Sequence, residues 1–139
     1  MDISALGSVA IGRGTILHSD KFENIDHGKL FVIMGEDEES CYGFFFINST
    51  IDRIIQSRKA LFDMQLPLKR LNYSDILKYD SFLDCHELSY ISKTLLLEKF
   101  QRGEIQRRGS LTNSDLEIVL DVVRKSNLFS EYEKEVFFK

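Results

Sequence analysis

Two apolar runs separated by a short acidic stretch constrain the fold of this chain more than any other feature. Leu30-Phe31-Val32-Ile33-Met34 and Tyr42-Gly43-Phe44-Phe45-Phe46-Ile47 flank Gly35 and the run Glu36-Asp37-Glu38-Glu39. Each run is short and rich in aromatic and β-branched residues, which fit a pleated surface better than a helix. Neither alternates apolar with polar, so each must be covered on both faces. Together they predict an antiparallel hairpin at the centre of a sheet, with a charged tip that discourages edge-to-edge association.

The flanking segments place this hairpin in an α+β domain. Gly12-Arg13-Gly14 is a turn. It lacks the further glycine and the Lys-Ser/Thr of a phosphate loop. Thr15 to His18 reads as a first strand, and Asp26-His27-Gly28 as a turn into the first apolar run. Asp52 to Arg58 has the spacing of a short helix. Leu61 to Leu66 alternates as an edge strand ending at Pro67. Asn72 to Lys78 is a connector, and Ser81–Cys85 and Glu87–Ile91 are short strands. Beyond Ser92 the period becomes helical. Leu95, Leu96 and Phe100 lead to a stop at Gly103, and Leu116, Val119, Leu120 and Val123 form one stripe after a Thr112-x-x-Asp115 start resembling a capping box. Ser130 opens a last amphipathic segment. The expectation is one domain over residues 1–139, strand-rich over 8–91 and helical over 92–139.

Bulk properties exclude several classes. A chain of 139 residues with 43% hydrophobic and 29% charged residues and one proline is an ordinary globular domain, not a linker or a low-complexity tail. No run approaches the ~20 apolar residues of a membrane span, and the first residues lack the basic start of a secretory leader. Cys41 and Cys85 are far apart and read as reduced thiols. The expectation is a cytoplasmic protein with no membrane contact. A net charge of -4 argues against a general nucleic-acid coat but leaves room for a local basic groove.

The order of the segments resembles the MazF/PemK family of toxin ribonucleases over about residues 12–126. The pieces are Gly14-Thr15-Ile16-Leu17, Gly28-Lys29-Leu30 running into Met34, Phe45-Phe46-Ile47-Asn48-Ser49-Thr50, Phe62 to Leu66, Asp80 to Ile91, and Gly109-Ser110-Leu111 before the Leu116 helix. The resemblance implies a small SH3-like antiparallel β-barrel with C-terminal helices packed on it. It also implies a type II toxin, a sequence-directed endoribonuclease needing no cofactor or metal, acting on RNA as a homodimer and neutralised by a small antitoxin. Three departures stand out. The family usually has Gly-Asp where Gly14-Thr15 stands, Arg-Pro where Lys29-Leu30 stands, and Thr where Ser49 stands.

Such cleavage uses the RNA 2′-OH as nucleophile and requires a base, a cation on the phosphate and an acid for the leaving oxygen. Lys29 is the candidate cation, as a point charge without a guanidinium's two-pronged grip. Ser49 is a candidate phosphate donor beside Thr50, and His27 or His18 a candidate acid or base. Lys69, Arg70, Arg107, Arg108 and Arg102 are candidate phosphate contacts. The bland reading makes Lys29 a solvated strand-end lysine, Ser49 and His27 turn residues, and the basic residues ordinary surface charges. In Asp84-Cys85-His86-Glu87, strand alternation turns Cys85 away from His86 and allows Asp84 and His86 to pair. His18, His27, His86, Cys41 and Cys85 are not at zinc-ligand spacing. The alternative function is a member of the same fold that has lost cleavage residues and serves as a protein- or RNA-binding module.

Overall fold

The computed structural model describes residues 11–20 and 28–139. The two apolar runs are adjacent antiparallel strands, β2 (Lys29–Glu36) and β3 (Cys41–Asn48). Leu30 pairs with Ile47, Phe31 with Phe46, Val32 with Phe45 and Ile33 with Phe44. A register shift then brings Gly35 opposite Gly43. The remaining strands are β1 (Thr15–Ser19), β4 (Gln65–Leu68), β5 (Ser81–Asp84), β6 (Ser89–Ser92) and β7 (Ile105–Ser110). Among the described residues seven strands form one sheet, six of them in the order β4-β5-β3-β2-β1-β7 and β6 off this path against β3, and every pairing is antiparallel. Strand β3 is divided along its outer edge. Its Cys41–Phe44 end pairs with β6, and Ile47 and Asn48 pair with β5. Among the described residues β4 and β7 each have one strand neighbour, so the sheet is not closed.

The central strands are apolar throughout because both faces are packed. Val32, Met34, Phe45 and Ile47 enter one core with Ile16, Leu83, Val119, Val123, Phe129, Phe137 and Phe138. Phe31, Ile33, Tyr42 and Phe44 enter a second core with Leu17, Ile91, Leu96 and Ile105. Helix α3 (Lys93–Gln101) contributes Leu96 to the second core. Helices α4 (Asn113–Lys125) and α5 (Glu131–Phe137) cover the first. Close approach of α5 requires small residues beneath it. A Cβ at Gly35 would lie 2.7 Å from the Phe137 carbonyl oxygen, and one at Gly43 would lie 2.9 Å from its ring.

Local capping explains the helix boundaries. The Ser92 hydroxyl accepts from Leu95 N at the start of α3, and Gly103, at φ +75, follows its end in a left-handed conformation open to glycine. The start of α4 differs from the expected box. Thr112 accepts from Asp115 N at 3.1 Å, but the Asp115 carboxylate accepts from Tyr73 Oη at 2.5 Å, and Thr112 N donates to that same hydroxyl at 3.1 Å. Tyr73 thus completes the cap from outside the helix. At α5 the box is whole, with Ser130 and Glu133 each satisfying the other's backbone N–H.

Two expectations are corrected. The last third is not all helix, since Ile105–Ser110 is strand β7. Only Ile105 is buried in it. Gln106-Arg107-Arg108-Gly109 gave no apolar alternation to read, and pairing with β1 supplies the order. Of the stretch Leu61–Leu66, only Gln65 and Leu66 are strand. Helices α1 (Arg53–Gln56) and α2 (Lys59–Phe62) come first, and the strand runs from Gln65 through Pro67. Proline is tolerated there because β4 ends the sheet and has one neighbour.

Candidate functional site

The antiparallel register brings the beginning of β2 beside the end of β3, so Lys29 lies next to Asn48 and the Ser49-Thr50 turn. Side chains alternate about this rim. Leu30 and Ile47 point to the face covered by α4, and Lys29 and Asn48 to the other. Two cavities flank the rim, and Lys29, Asn48 and Ser49 line both.

The first cavity, of about 450 Å³, is further lined by His18, Gly28, Leu30, Ile47, Ile76, Leu77, Lys78, Tyr79, Ser81 and Arg108. Among the described residues its lining includes Lys29, Lys78 and Arg108 and no Asp or Glu. Its outer wall is the segment 69–80, anchored at several points. Arg70 N donates to the Asp80 carboxylate at 2.9 Å, Arg108 Nη2 to the Asp75 carbonyl at 3.0 Å, and Tyr73 joins the α4 cap. Tyr79 is 68% exposed at its mouth. His18 reaches the cavity from β1, its Nδ1 3.3 Å from Gln106 Oε1 and 3.5 Å from an Asp20 carboxylate oxygen. Glycine at position 28 makes room for that imidazole, since a Cβ there would fall 2.5 Å from His18 Nε2.

The second cavity, of about 430 Å³, is lined besides by Thr50, Asp52, Ile55, Gln65 and Asp84. Here one lysine faces two carboxylates. Gln65 is buried and donates from Nε2 to Asp84 Oδ1 at 2.7 Å. His86 Nδ1 meets the same oxygen, and His86 N donates to it at 3.4 Å. The expected Asp84–His86 pair is therefore present, made by a turn after β5 instead of by a shared strand face. Cys85 points the other way into the core, where burial and then the Asp84 charge push its thiol pKa well up. It is an inert packing thiol.

Lys29 is the hinge of the arrangement. Its ammonium donates to Asn48 Oδ1, approaches the Ile47 carbonyl at 3.5 Å and lies 5.5 Å from the Phe46 ring centre. Burial lowers its pKa from 10.5, and the Asp84 carboxylate opposes that shift. The amine is thus partly desolvated and strengthened as a hydrogen-bond donor toward an entering anion.

The other candidates divide. Ser49 joins both cavities, Thr50 the second and Arg108 the first. Arg107 alternates away from Arg108 on β7 and donates to Ser110 Oγ at 3.1 Å. Lys69 and Arg70 are exposed at a 3-10 turn after β4 and line neither cavity. Arg102 pairs with Glu98 and Glu104. His27 lies outside the described residues. Sequence reasoning missed Lys78, Tyr79 and Gln65. Their segments carry no motif, and only the packing of 69–80 and the pairing of β4 with β5 bring them to the rim. Among the described residues no three His, Cys, Asp or Glu side chains converge as metal ligands, and no helix is long and apolar enough to cross a membrane. Set against known proteins, the chain matches no family model and no curated sequence.

Proposed function

We propose that this protein is a metal-independent RNA endonuclease of the MazF/PemK type, the toxin of a type II toxin–antitoxin pair. In this reading it acts in the cytoplasm as a homodimer and is neutralised by a small antitoxin protein. The division of β3 between β5 and β6 is taken as the bend of an SH3-like barrel. The observation that carries the reading is the half-buried Lys29 ammonium beside Ser49, at the edge of a cavity that also holds Lys78 and Arg108. A groove whose described lining carries Lys29, Lys78 and Arg108 and no carboxylate suits a phosphodiester backbone.

In this reading the chemistry is a transesterification within the RNA. The 2′-oxygen attacks phosphorus, the bond from phosphorus to the 5′-oxygen breaks, and a 2′,3′-cyclic phosphate and a 5′-hydroxyl result. Lys29 and the Ser49 hydroxyl stabilise charge on the non-bridging oxygens. His18 takes the 2′-proton in the first cavity, and its Nδ1 contact with Gln106 orients the ring. His27 is the companion acid for the 5′-oxygen. Thr50 is assigned to RNA binding from the second cavity, and Lys69, Arg70, Arg107 and Arg108 to the RNA backbone.

A second reading, a binding module without cleavage, is favoured by one observation. The Lys29 ammonium is already held by Asn48 Oδ1 and the Ile47 carbonyl, so a phosphate must displace these acceptors. Incubating purified protein with short RNA separates the two readings. Cleavage that disappears in Lys29→Ala supports the enzyme. Binding of a 2′-O-methyl RNA without cleavage of its unmodified form supports the module.

A further inference from the structure

The cavities on either side of Lys29 differ in chemistry, and the difference assigns them separate parts of a nucleic-acid ligand. The first offers cations and an exposed aromatic ring. The second sets the carboxylates of Asp52 and Asp84 opposite Lys29, with the hydroxyls of Ser49 and Thr50, the amides of Asn48 and Gln65 and the apolar side chain of Ile55. A phosphate entering the second cavity would meet two like charges. A base entering it would meet hydrogen-bonding groups and one apolar wall.

We infer that the second cavity reads the base next to the cleaved phosphate, and that Asp84 selects a base bearing an exocyclic amine over uracil. The inference rests on the RNA reading above and goes beyond it by naming what is recognised. Asp84 is held for this role. Its side chain is 16% exposed, and the bonds from Gln65 Nε2, His86 Nδ1 and His86 N all fall on Oδ1. That leaves Oδ2 to accept from a ligand. A carboxylate accepts and does not donate. Adenine, cytosine and guanine each present an amine, whereas uracil presents carbonyl oxygens on either side of a single ring N–H. Uracil can donate to this carboxylate only through that ring N–H, which brings a carbonyl oxygen on each side toward the anionic group and leaves a desolvated acceptor unpaired, the situation in which polar sites discriminate most strongly. Unstacked bases of single-stranded RNA are read in this way, on their Watson–Crick edges. Lys29 lines both cavities, so the phosphate and the base it belongs to are held from one point.

The test is a short RNA library randomised on both sides of the cut, read by sequencing the products. For a protein that binds without cutting, the library is 2′-O-methylated and the retained RNA is sequenced. Uracil is expected to be depleted by roughly tenfold at one position adjoining the Lys29 phosphate. Asp84→Asn, whose amide can donate to a carbonyl, is expected to erase or reverse that ratio. Because the ratio is taken within each protein, a change in overall rate does not affect it. On wild-type protein, purine riboside for adenosine, inosine for guanosine and zebularine for cytidine remove the amine alone, so the test stands even if Asp84→Asn fails to fold. At least one replacement is expected to weaken use of that position by roughly tenfold. Uniform use of all four bases, or indifference to amine removal, overturns the inference and leaves the RNA reading standing. A protein that neither cuts nor retains RNA overturns both.

Discussion

The cavity between β7 and the 69–80 segment and the cavity between β4 and the α1 turn share three rim residues, yet they have opposite electrostatic character. Lys78 and Arg108 join Lys29 in the first, whereas Asp52 and Asp84 face it in the second. The contrast shows how a chain with net charge -4 can serve an anionic ligand. Its positive charge need be concentrated on only one side of a strand end. The same lysine serves both sides because it stands at the strand end, where both cavities reach it.

The most severe way to break this arrangement is to remove what the cavities share. Lys29→Ala is expected to reduce RNA cleavage by about 10²–10³-fold, the scale for losing one charge-stabilising donor, measured by single-turnover kinetics. Lys29→Arg is expected to recover part of that loss, because a guanidinium can grip phosphate through two nitrogens. Full activity in Lys29→Ala would remove this residue from the reaction.

The cavities are then separable by charge. Arg108→Ala is expected to weaken RNA binding several-fold and lower the slope of log affinity against log salt by about 1. Asp52→Ala, on the other side of the rim, is expected to leave affinity unchanged or raise it. Salt-dependent fluorescence anisotropy with a 2′-O-methyl RNA checks both. Equal losses in the two variants would mean that the cavities do not divide the ligand as their charges indicate.

A third prediction concerns pH. Burial sets the Lys29 pKa below 10.5, and Asp84 holds it up. Activity that needs the ammonium is present below the folded-state pKa and lost as pH rises through it. Between that pKa and the unfolded value the unfolded chain binds more protons, so stability attributable to this group rises with pH there. Asp84→Asn removes the supporting charge, so the basic limb of the cleavage profile, and the NMR titration of the Lys29 ε-carbon, are expected to move to lower pH. A limb that stays in place would show that Asp84 does not act on Lys29.

Much of this was legible in the chain, but unevenly. The doubly buried hairpin follows from two apolar runs that have no polar face, and antiparallel pairing of those runs necessarily sets Lys29 near Ser49. The α4 stripe and its Thr112 cap were legible for the same reason, since local periodicity and a single backbone bond define them. Strand β7 was not legible, because a strand at the end of the sheet with one buried side chain has no hydrophobic period. The site was legible at its rim and not in its walls. Gln65, Lys78 and Tyr79 owe their positions to contacts distant in sequence, and no residue near them announces those contacts.

The finest test concerns one of those walls. Tyr73 is buried, and its hydroxyl donates to Asp115 and accepts from Thr112 N, tying the 69–80 segment to the first turn of α4. Tyr73→Phe keeps the ring and deletes both bonds, leaving the Thr112 N–H and the Asp115 carboxylate to find other partners. The expected cost is about 1–2 kcal/mol, observed as a lower midpoint in urea with an unchanged slope. If the segment is the wall of the first cavity alone, the variant is expected to weaken RNA binding slightly while leaving base preference at the second cavity as it was. A shift in base preference would instead mean that the two cavities respond as one unit, coupled through the Lys29 rim.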